Sequence, residues 1–254
     1  EENGSLLTDA GISELVGALR EAYGIDFSYY KPSTVTRRVE RRLQLSGCNE
    51  LSEYVQSVLA DKNELNALYR DLLIGVTKFF RDTDAFRYLE VEIVPQLLNR
   101  VSSDDELRVW VAGCATGEEA YSVAILLHEA FTSRSRPLNV KIFATDVHRD
   151  SLEFASTGVY SEEALSEVSS DRLQKYFLRH GAGYQVIQEL RKMIVFAPHN
   201  VVKDAPFTKL DLTCCRNLLI YLQPDAQNKA LSLFHFGLRA GGCLFLGPSE
   251  STAD

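Results

Sequence analysis

Val109-Trp-Val-Ala-Gly-Cys-Ala-Thr-Gly-Glu-Glu119 is the stretch that decides the fold. It reads as a buried strand over Leu107–Ala112, a glycine turn, and a helix from Glu118 to about Phe131. Tyr121, Ala124, Ile125 and His128 recur three to four apart on that helix. In open α/β sheets, ligands bind beyond the carboxyl ends of the strands. Gly113 and Gly117 let a ligand come close to the backbone. The dinucleotide pattern G-x-G-x-x-G is absent, and no G-K-[ST] follows to make a phosphate loop. Glu118 and Glu119 stand where a pyrophosphate needs a bare, positive helix end. The turn therefore suits a ligand with a cationic amine and hydroxyls. For one of the two glutamates, the helix dipole alone is a sufficient account.

Working outward, further strands are expected at Val140–Ala144, Met193–Ala197, Leu210–Cys214 and Gly242–Leu246. Helical patterns separate them, at Asp150–Ala155 and Asp225–Arg239 among others. Five strands alternating with helices give a mostly parallel, doubly wound sheet. Residues 172–192 interrupt the alternation, and Gly181 and Gly183 there mark a small antiparallel insert. The second strand ends in Ala144-Thr-Asp146. An acid at that point can accept hydrogen bonds from a ribose diol, or cap the next helix. S-adenosylmethionine, with an ammonium, a sulfonium and ribose hydroxyls but no phosphate, matches both features.

Residues 5 to about 98 read instead as helices. Thr8 or Ser13 can cap the first, which Gly24 ends after Tyr23. Ser33 or Thr34 can cap the second, which Gly47 ends. Ser52 starts a third with Tyr54, Val55, Val58 and Leu59 on its apolar face, and Leu65–Ile74 is a fourth. A further helix over Thr83–Asn99 holds Pro95 awkwardly in its interior.

The 254 residues are 45% hydrophobic and 24% charged, with a net charge of -8. Disordered and fibrous classes are excluded, and an acidic chain is a poor ligand for a phosphate backbone. No run approaches the roughly 20 apolar residues of a membrane span, and no signal peptide is evident. Five cysteines without C-x-x-C, and five histidines without H-E-x-x-H, point to a reducing cytoplasm and to no metal site. The only methionine is Met193 and the first residue is Glu1, which reads as a piece of a longer product.

Four motifs carry a resemblance: Val76-Thr-Lys-Phe-Phe-Arg-Asp82, Gly113–Ser122, Phe196-Ala-Pro-His-Asn-Val201 and Cys215-Arg-Asn-Leu-Leu-Ile-Tyr221, with Gly247-Pro-Ser-Glu250 after them. Together they resemble the CheR-type chemotaxis receptor methyltransferases, over about residues 10–250. The resemblance implies an α/β fold: a small N-terminal all-α domain, then a Rossmann-like class I methyltransferase domain with a small antiparallel β insert. It places a helical substrate-recognition domain at 1–75, a linking helix region at 76–106 and the methyltransferase domain at 107–254. It implies S-adenosylmethionine as cofactor and S-adenosylhomocysteine as product. By resemblance, Thr77 and Arg81 contact the methionine part and Glu118 takes the ammonium. Asp146 holds the ribose, Asn200 and Val201 flank the adenine, and Arg216 and Asn217 close the pocket. Gly113 lies in the cofactor turn, and Tyr221 is the catalytic candidate beside the transferring methyl. Arg81 and Arg216 as structural ion pairs, and Tyr221 as core, are the alternatives.

Three departures stand out. Gly75 replaces the family's asparagine. The loop at Gly181–Gly183 is short for a subdomain that binds a receptor tail. The chain stops at Asp254, before the family's closing hairpin, so the sheet is expected to be truncated.

Lys31, Arg37, Arg38, Arg41 and Arg42 against Glu40 give a local charge of +4 in an acidic chain. Val35, Val39 and Leu43 form one stripe of the helix, and the four arginines are read as the opposite arc. A solvated face and nucleic acid are alternatives; a glutamate-rich helical region of a chemoreceptor is the favoured partner. The expected activity is O-methylation of receptor glutamates by a monomer that neither binds nucleic acid nor enters a membrane. A non-catalytic sensor of the cofactor or its product is the main rival, and a small-molecule methyltransferase the second.

Overall fold

A computed structural model describes residues 9–73, 75, 77–102, 105–134 and 139–252. The chain divides into two compact units. One comprises residues 1–74 and Ile220–Asn228; the other comprises Gly75–Leu219 and Lys229–Asp254.

In the helical unit, α1 (Asp9–Tyr23), α2 (Pro32–Ser46), α3 (Leu51–Ala60) and α4 (Lys62–Leu72) pack as α1 on α3, α2 on α4 and α3 on α4. Leu15, Leu19, Val39, Tyr54, Val58 and Leu68 are its buried apolar residues. Ser13 lies inside α1 rather than capping it, and Thr8 is outside the described residues. Pro32, with its fixed φ, sits in the first turn of α2, so Ser33 and Thr34 fall within that turn and do not cap it. Gly47, at φ 76°, ends α2 as expected. Leu59 is about half exposed, because its position lies nearly a quarter turn beyond the Tyr54–Val55–Val58 face. In α4, Asp61 caps through a 2.8 Å bond from the Asn63 N–H; Ile74 is outside the described residues.

The other unit begins with α5 (Thr83–Tyr88), a π-helical turn (Leu89–Ile93) and α6 (Val94–Arg100). The expected single helix is thus split. Pro95 lies in the first turn of α6, where its missing N–H costs nothing, and the Val94 N–H reaches back to the Leu89 carbonyl. Phe79, Phe86, Leu89, Val94 and Leu97 join the core of this unit.

The sheet follows: β1 (Leu107–Ala112), α7 (Glu118–Ser133), β2 (Val140–Asp146), α8 (Arg149–Thr157), β3 (Val159–Tyr160), α9 (Ser170–Tyr176), β4 (Phe177–His180), β5 (Gly183–Val186), α10 (Gln188–Met193), β6 (Ile194–Pro198), β7 (Leu210–Cys215), α11 (Pro224–Gly237) and β8 (Leu238–Leu246). The main sheet has order β6-β2-β1-β7-β8, and every pairing is parallel. The chain lays β2 and β6 to one side of β1, then returns to lay β7 and β8 on the other. That places the switch point at the carboxyl end of β1. β1 is fully buried except at Arg108, as a central parallel strand must be. β8 is longer than expected because Leu238 already pairs with Leu210, ending α11 at Gly237. The insert is a three-stranded antiparallel sheet, β3-β5-β4. Its strands occupy less of 172–192 than expected, since α9 and α10 take the flanks, and β3 has no signature in the sequence. All five cysteines are free, and no helix among the described residues is long and apolar enough to cross a membrane.

Candidate cofactor site

The turn after β1 hangs on the end of β2. The Gly113 and Cys114 N–H groups donate to the Thr145 carbonyl at 2.8 and 2.9 Å, and the Ala115 N–H donates to Asp146 Oδ2 at 2.9 Å. Gly113 and Gly117 have φ of 74° and 94°. At Gly117 a side chain is excluded outright: a Cβ there lies 2.8 Å from that of Ala155 and 3.0 Å from the Tyr160 hydroxyl. That hydroxyl donates to the Thr116 carbonyl at 2.7 Å, so the small sheet braces the turn.

The two glutamates at the start of α7 differ in their surroundings. Glu118 is buried, and burial raises its pKa. What opposes the rise is hydrogen bonding, from the Thr116 hydroxyl at 2.7 Å and from the backbone, and not a positive charge. Glu119 is raised to about 7, again chiefly by burial, and the charges of Arg216 and Arg81 oppose it. Glu119 Oε2 stands 3.5 Å from Arg216. Glu119 therefore has protein cations beside it, while among the described residues none acts on Glu118.

Arg216 itself is wholly buried. Its guanidinium donates to Asp82 at 2.6 Å and to the Arg81 carbonyl at 3.0 Å. It lies over the rings of Phe245 and Phe86, at 4.7 and 5.1 Å from their centroids. These bonds fix the segment that carries Arg81, while the buried Arg216 Nε has no hydrogen-bond partner among the described residues. The same segment is held from α7, where Ser122 accepts from the Phe80 N–H at 2.9 Å and donates to the Glu118 carbonyl at 2.7 Å. Thr77 and Arg81 are half-buried on it, and Val76 is outside the described residues.

Asp146 accepts from the His148 N–H at 3.0 Å as well as from Ala115. It organises the turn and is not the residue that caps α8, a place taken by His148. Burial is the largest influence on its carboxyl and raises its pKa. The Asp146 carbonyl accepts from the His199 N–H at 3.0 Å, which brings Asn200 and buried Val201 to the end of β2. Asn200 Oδ1 accepts from the Val202 N–H at 3.0 Å, closing a local turn. Asn217, at φ 59°, follows β7. Glu250 holds it, taking the N–H groups of Asn217, Leu218, Leu219 and Gly247 at 2.7–2.9 Å. Phe80, Asp82, Ala115 and Asn217 are four of the five described non-glycine residues with positive φ. Strain of this kind concentrates where a ligand is held.

Tyr221 belongs to the helical unit, where its carbonyl accepts from the Lys31 N–H at 2.8 Å. Of the four arginines on α2, Arg37 and Arg41 are exposed. Arg42 is not available to a partner: it makes a bidentate pair with Glu64 at 2.6 and 3.1 Å, and Tyr54 donates to the same carboxylate at 2.9 Å. At 100° per residue it lies beside Val35 rather than opposite it, and Arg38 falls on the same flank, half-buried. Sequence reasoning missed Ser122, Tyr160 and the Arg216 partners Asp82 and Glu119; the glutamate of Gly247-Pro-Ser-Glu250 was the one available signal for the Asn217 anchor.

The donor set fits S-adenosylmethionine: a buried carboxylate without a protein cation for the ammonium, an acid at the end of β2 for the ribose, and glycines where backbone and ligand meet. Fold and site thus define a Rossmann-like S-adenosylmethionine-dependent methyltransferase domain preceded by an all-α domain. The chain belongs to the CheR methyltransferase family, matching its SAM binding domain over residues 75–254 and its all-alpha domain over residues 10–73. It is 42% identical over 240 residues to an uncharacterized 104.1 kDa protein of Rhodobacter capsulatus, covering 94% of this chain but only 25% of that protein. It is 35% identical to the putative methyltransferase Cher3 of Pseudomonas putida, over 96% of this chain and 89% of the relative. The chemotaxis protein methyltransferase of Escherichia coli is 32% identical, with coverage of 96% and 85%.

Proposed function

We propose that this chain transfers a methyl group from S-adenosylmethionine to glutamate side chains of chemotaxis receptors or related signalling proteins in the cytoplasm. The observation that carries the reading is the split at the start of α7, where Glu119 faces Arg216 and buried Glu118 has no cation beside it among the described residues. Glu118 takes the ammonium, Asp146 the ribose, and Asn200 and Val201 the adenine. Thr77 and Arg81 hold the methionine part, Gly113 admits the ligand to the backbone, and Asn217 closes the pocket. Bound there, the cofactor would supply an electrophilic methyl group on a sulfonium for a substrate carboxylate oxygen, with S-adenosylhomocysteine as the leaving group. A solvated glutamate side chain titrates at about 4.3, so the substrate is already ionised at neutral pH and the protein needs no general base. Its task is orientation and partial desolvation. Tyr221 orients a reacting group, a role that rests on the resemblance alone.

The names of the chemotaxis relatives and the exposed Arg37 and Arg41 support an acidic helical substrate. Incubation with methyl-labelled cofactor and receptor fragments is the test. Base-labile label on glutamate is the expected result. Tight S-adenosylhomocysteine binding without transfer to any fragment would replace the enzyme by a sensor.

A further inference from the structure

Tyr160 ends the two-residue strand β3 of the insert, and its side chain is buried. The strand pairs Tyr160 with Tyr184, and the Tyr160 carbonyl leaves no room for a Cβ at Gly183. A buried tyrosine hydroxyl needs a partner. Here it donates to the Thr116 carbonyl at 2.7 Å, in the glycine turn. Burial, and after it the charge of Glu118, pushes the hydroxyl pKa well up, so the group stays a donor. Thr116 lies between Ala115 at φ 46° and Gly117 at φ 94°. Such backbone keeps its shape only where its surroundings hold it. The peptide joining Thr116 to Gly117 is held at both ends: its carbonyl accepts from Tyr160, and its N–H donates to the Cys114 carbonyl at 2.8 Å. From that peptide the Thr116 hydroxyl donates to Glu118 Oε2 at 2.7 Å.

The Tyr160 ring makes a second connection. It meets Phe79 edge to face at 4.9 Å, and Phe177 of β4 packs on Phe79 at 5.6 Å. Phe79 is wholly buried and stands two residues from both Thr77 and Arg81. The insert therefore touches both segments assigned to the methionine end of the cofactor. We propose that Tyr160 is a positioning residue for the ammonium of S-adenosylmethionine: its hydroxyl fixes the Thr116–Gly117 peptide, and that peptide aims the Thr116 hydroxyl, which sets the Glu118 carboxylate. Tyr160 acts through Thr116 and Glu118 and not by contact with the ligand. A carboxylate held in advance loses less freedom when the ammonium arrives, which favours ligands that carry one. The inference rests on the reading of Glu118 as the ammonium's partner; it adds that the insert takes part in choosing the ligand.

The test removes one atom from each side of the contact. Tyr160→Phe deletes the hydroxyl and keeps the ring against Phe79 and Phe154, so the variant folds, as cooperative melting checks. The probes are S-adenosylhomocysteine and an analogue with hydrogen in place of its α-amino group. Affinities are measured by calorimetry, directly or by displacement, with no methyl acceptor present. Tyr160→Phe is expected to weaken S-adenosylhomocysteine about three- to tenfold, as the loss of one hydrogen bond does, and to leave the analogue at its wild-type affinity. Thr116→Val should move the ratio of the two affinities in the same direction. Adding Tyr160→Phe to it should then cost less than about twofold more, because the two groups act in one chain. Equal weakening of both ligands makes Tyr160 a general support of the pocket and overturns the proposal, as does wild-type affinity for S-adenosylhomocysteine. Glu118→Gln reads the premise separately. If it leaves the ratio unchanged, Glu118 does not meet the ammonium and the proposal falls with that reading. If it collapses the ratio while Tyr160→Phe does not move it, the reading of Glu118 stands and the assignment of Tyr160 alone is overturned.

Discussion

The carboxyl end of the β-sheet and the outer face of α2 both gather charge, and they do so in opposite ways. At the sheet, Glu118, Glu119, Asp82, Asp146 and Arg216 are held by partners and by four residues in strained backbone. On α2, Arg37 and Arg41 stand in solvent. The first arrangement fixes geometry for one ligand. The second leaves two positive charges exposed, able to act over a distance without fixing a geometry. Arg42 shows that residue type does not decide between them: it lies on the basic helix but is bound like the arginine of the sheet.

The contrast breaks most violently at Arg216. Arg216→Met keeps a side chain between Phe86 and Phe245 but takes the buried guanidinium from Asp82 and leaves Glu119 with the charge of Arg81 alone. A loss of about 3–5 kcal/mol is expected, read as a fall in melting temperature. Glu118→Gln comes next and separates the neighbouring glutamates. Charged hydrogen bonds contribute about 1.5–3 kcal/mol, so S-adenosylhomocysteine affinity should fall by about ten- to a hundredfold in calorimetry, with the unliganded protein no less stable. The third case divides α2. Arg42→Glu sets two carboxylates face to face and should cost about 2 kcal/mol of stability. Arg37→Glu with Arg41→Glu should leave melting unchanged and lower kcat/KM for an acidic fragment about tenfold at low salt, an effect that shrinks as salt is added.

The last effect is a slope, spread over a range of pH. Folding raises the Glu119 carboxyl from 4.5 to about 7. Between those values the folded chain holds a proton that the unfolded chain has lost, so this group makes stability fall as pH rises, until the contribution levels above about 7. Glu118 and Asp146 are raised as well and act in the same direction. Urea unfolding of Glu119→Gln across this range should show a flatter decline than wild type; an unchanged slope would mean that Glu119 titrates normally.

Much of the fold was legible because its carriers are local. The five parallel strands are apolar runs, and Gly113, Gly24 and Gly47 end elements where their φ is positive. What was hidden depends on distance along the chain. Arg42 finds Glu64 22 residues away, and Tyr160, on a two-residue strand with no pattern to read, braces Thr116 from 44 away. Pro95 announced a disturbance but not its form, since a π turn and a kink answer the same missing N–H. At the site, glycine spacing pointed to the turn, whereas nothing in Glu118-Glu119 says which of the two will meet arginine. That is decided by Arg216, about a hundred residues later.

Glu250 has a consequence in time. A chain emerging from the ribosome completes β1, its glycine turn and Asp146 long before residue 250 is made. Until then the N–H groups of Asn217, Leu218 and Leu219 lack the carboxylate that gathers them, and the strained Asn217 has nothing to hold it in place. The turn after β7 is therefore the last of these segments to set. Only the arrival of a single carboxylate, 33 residues downstream, ends that interval.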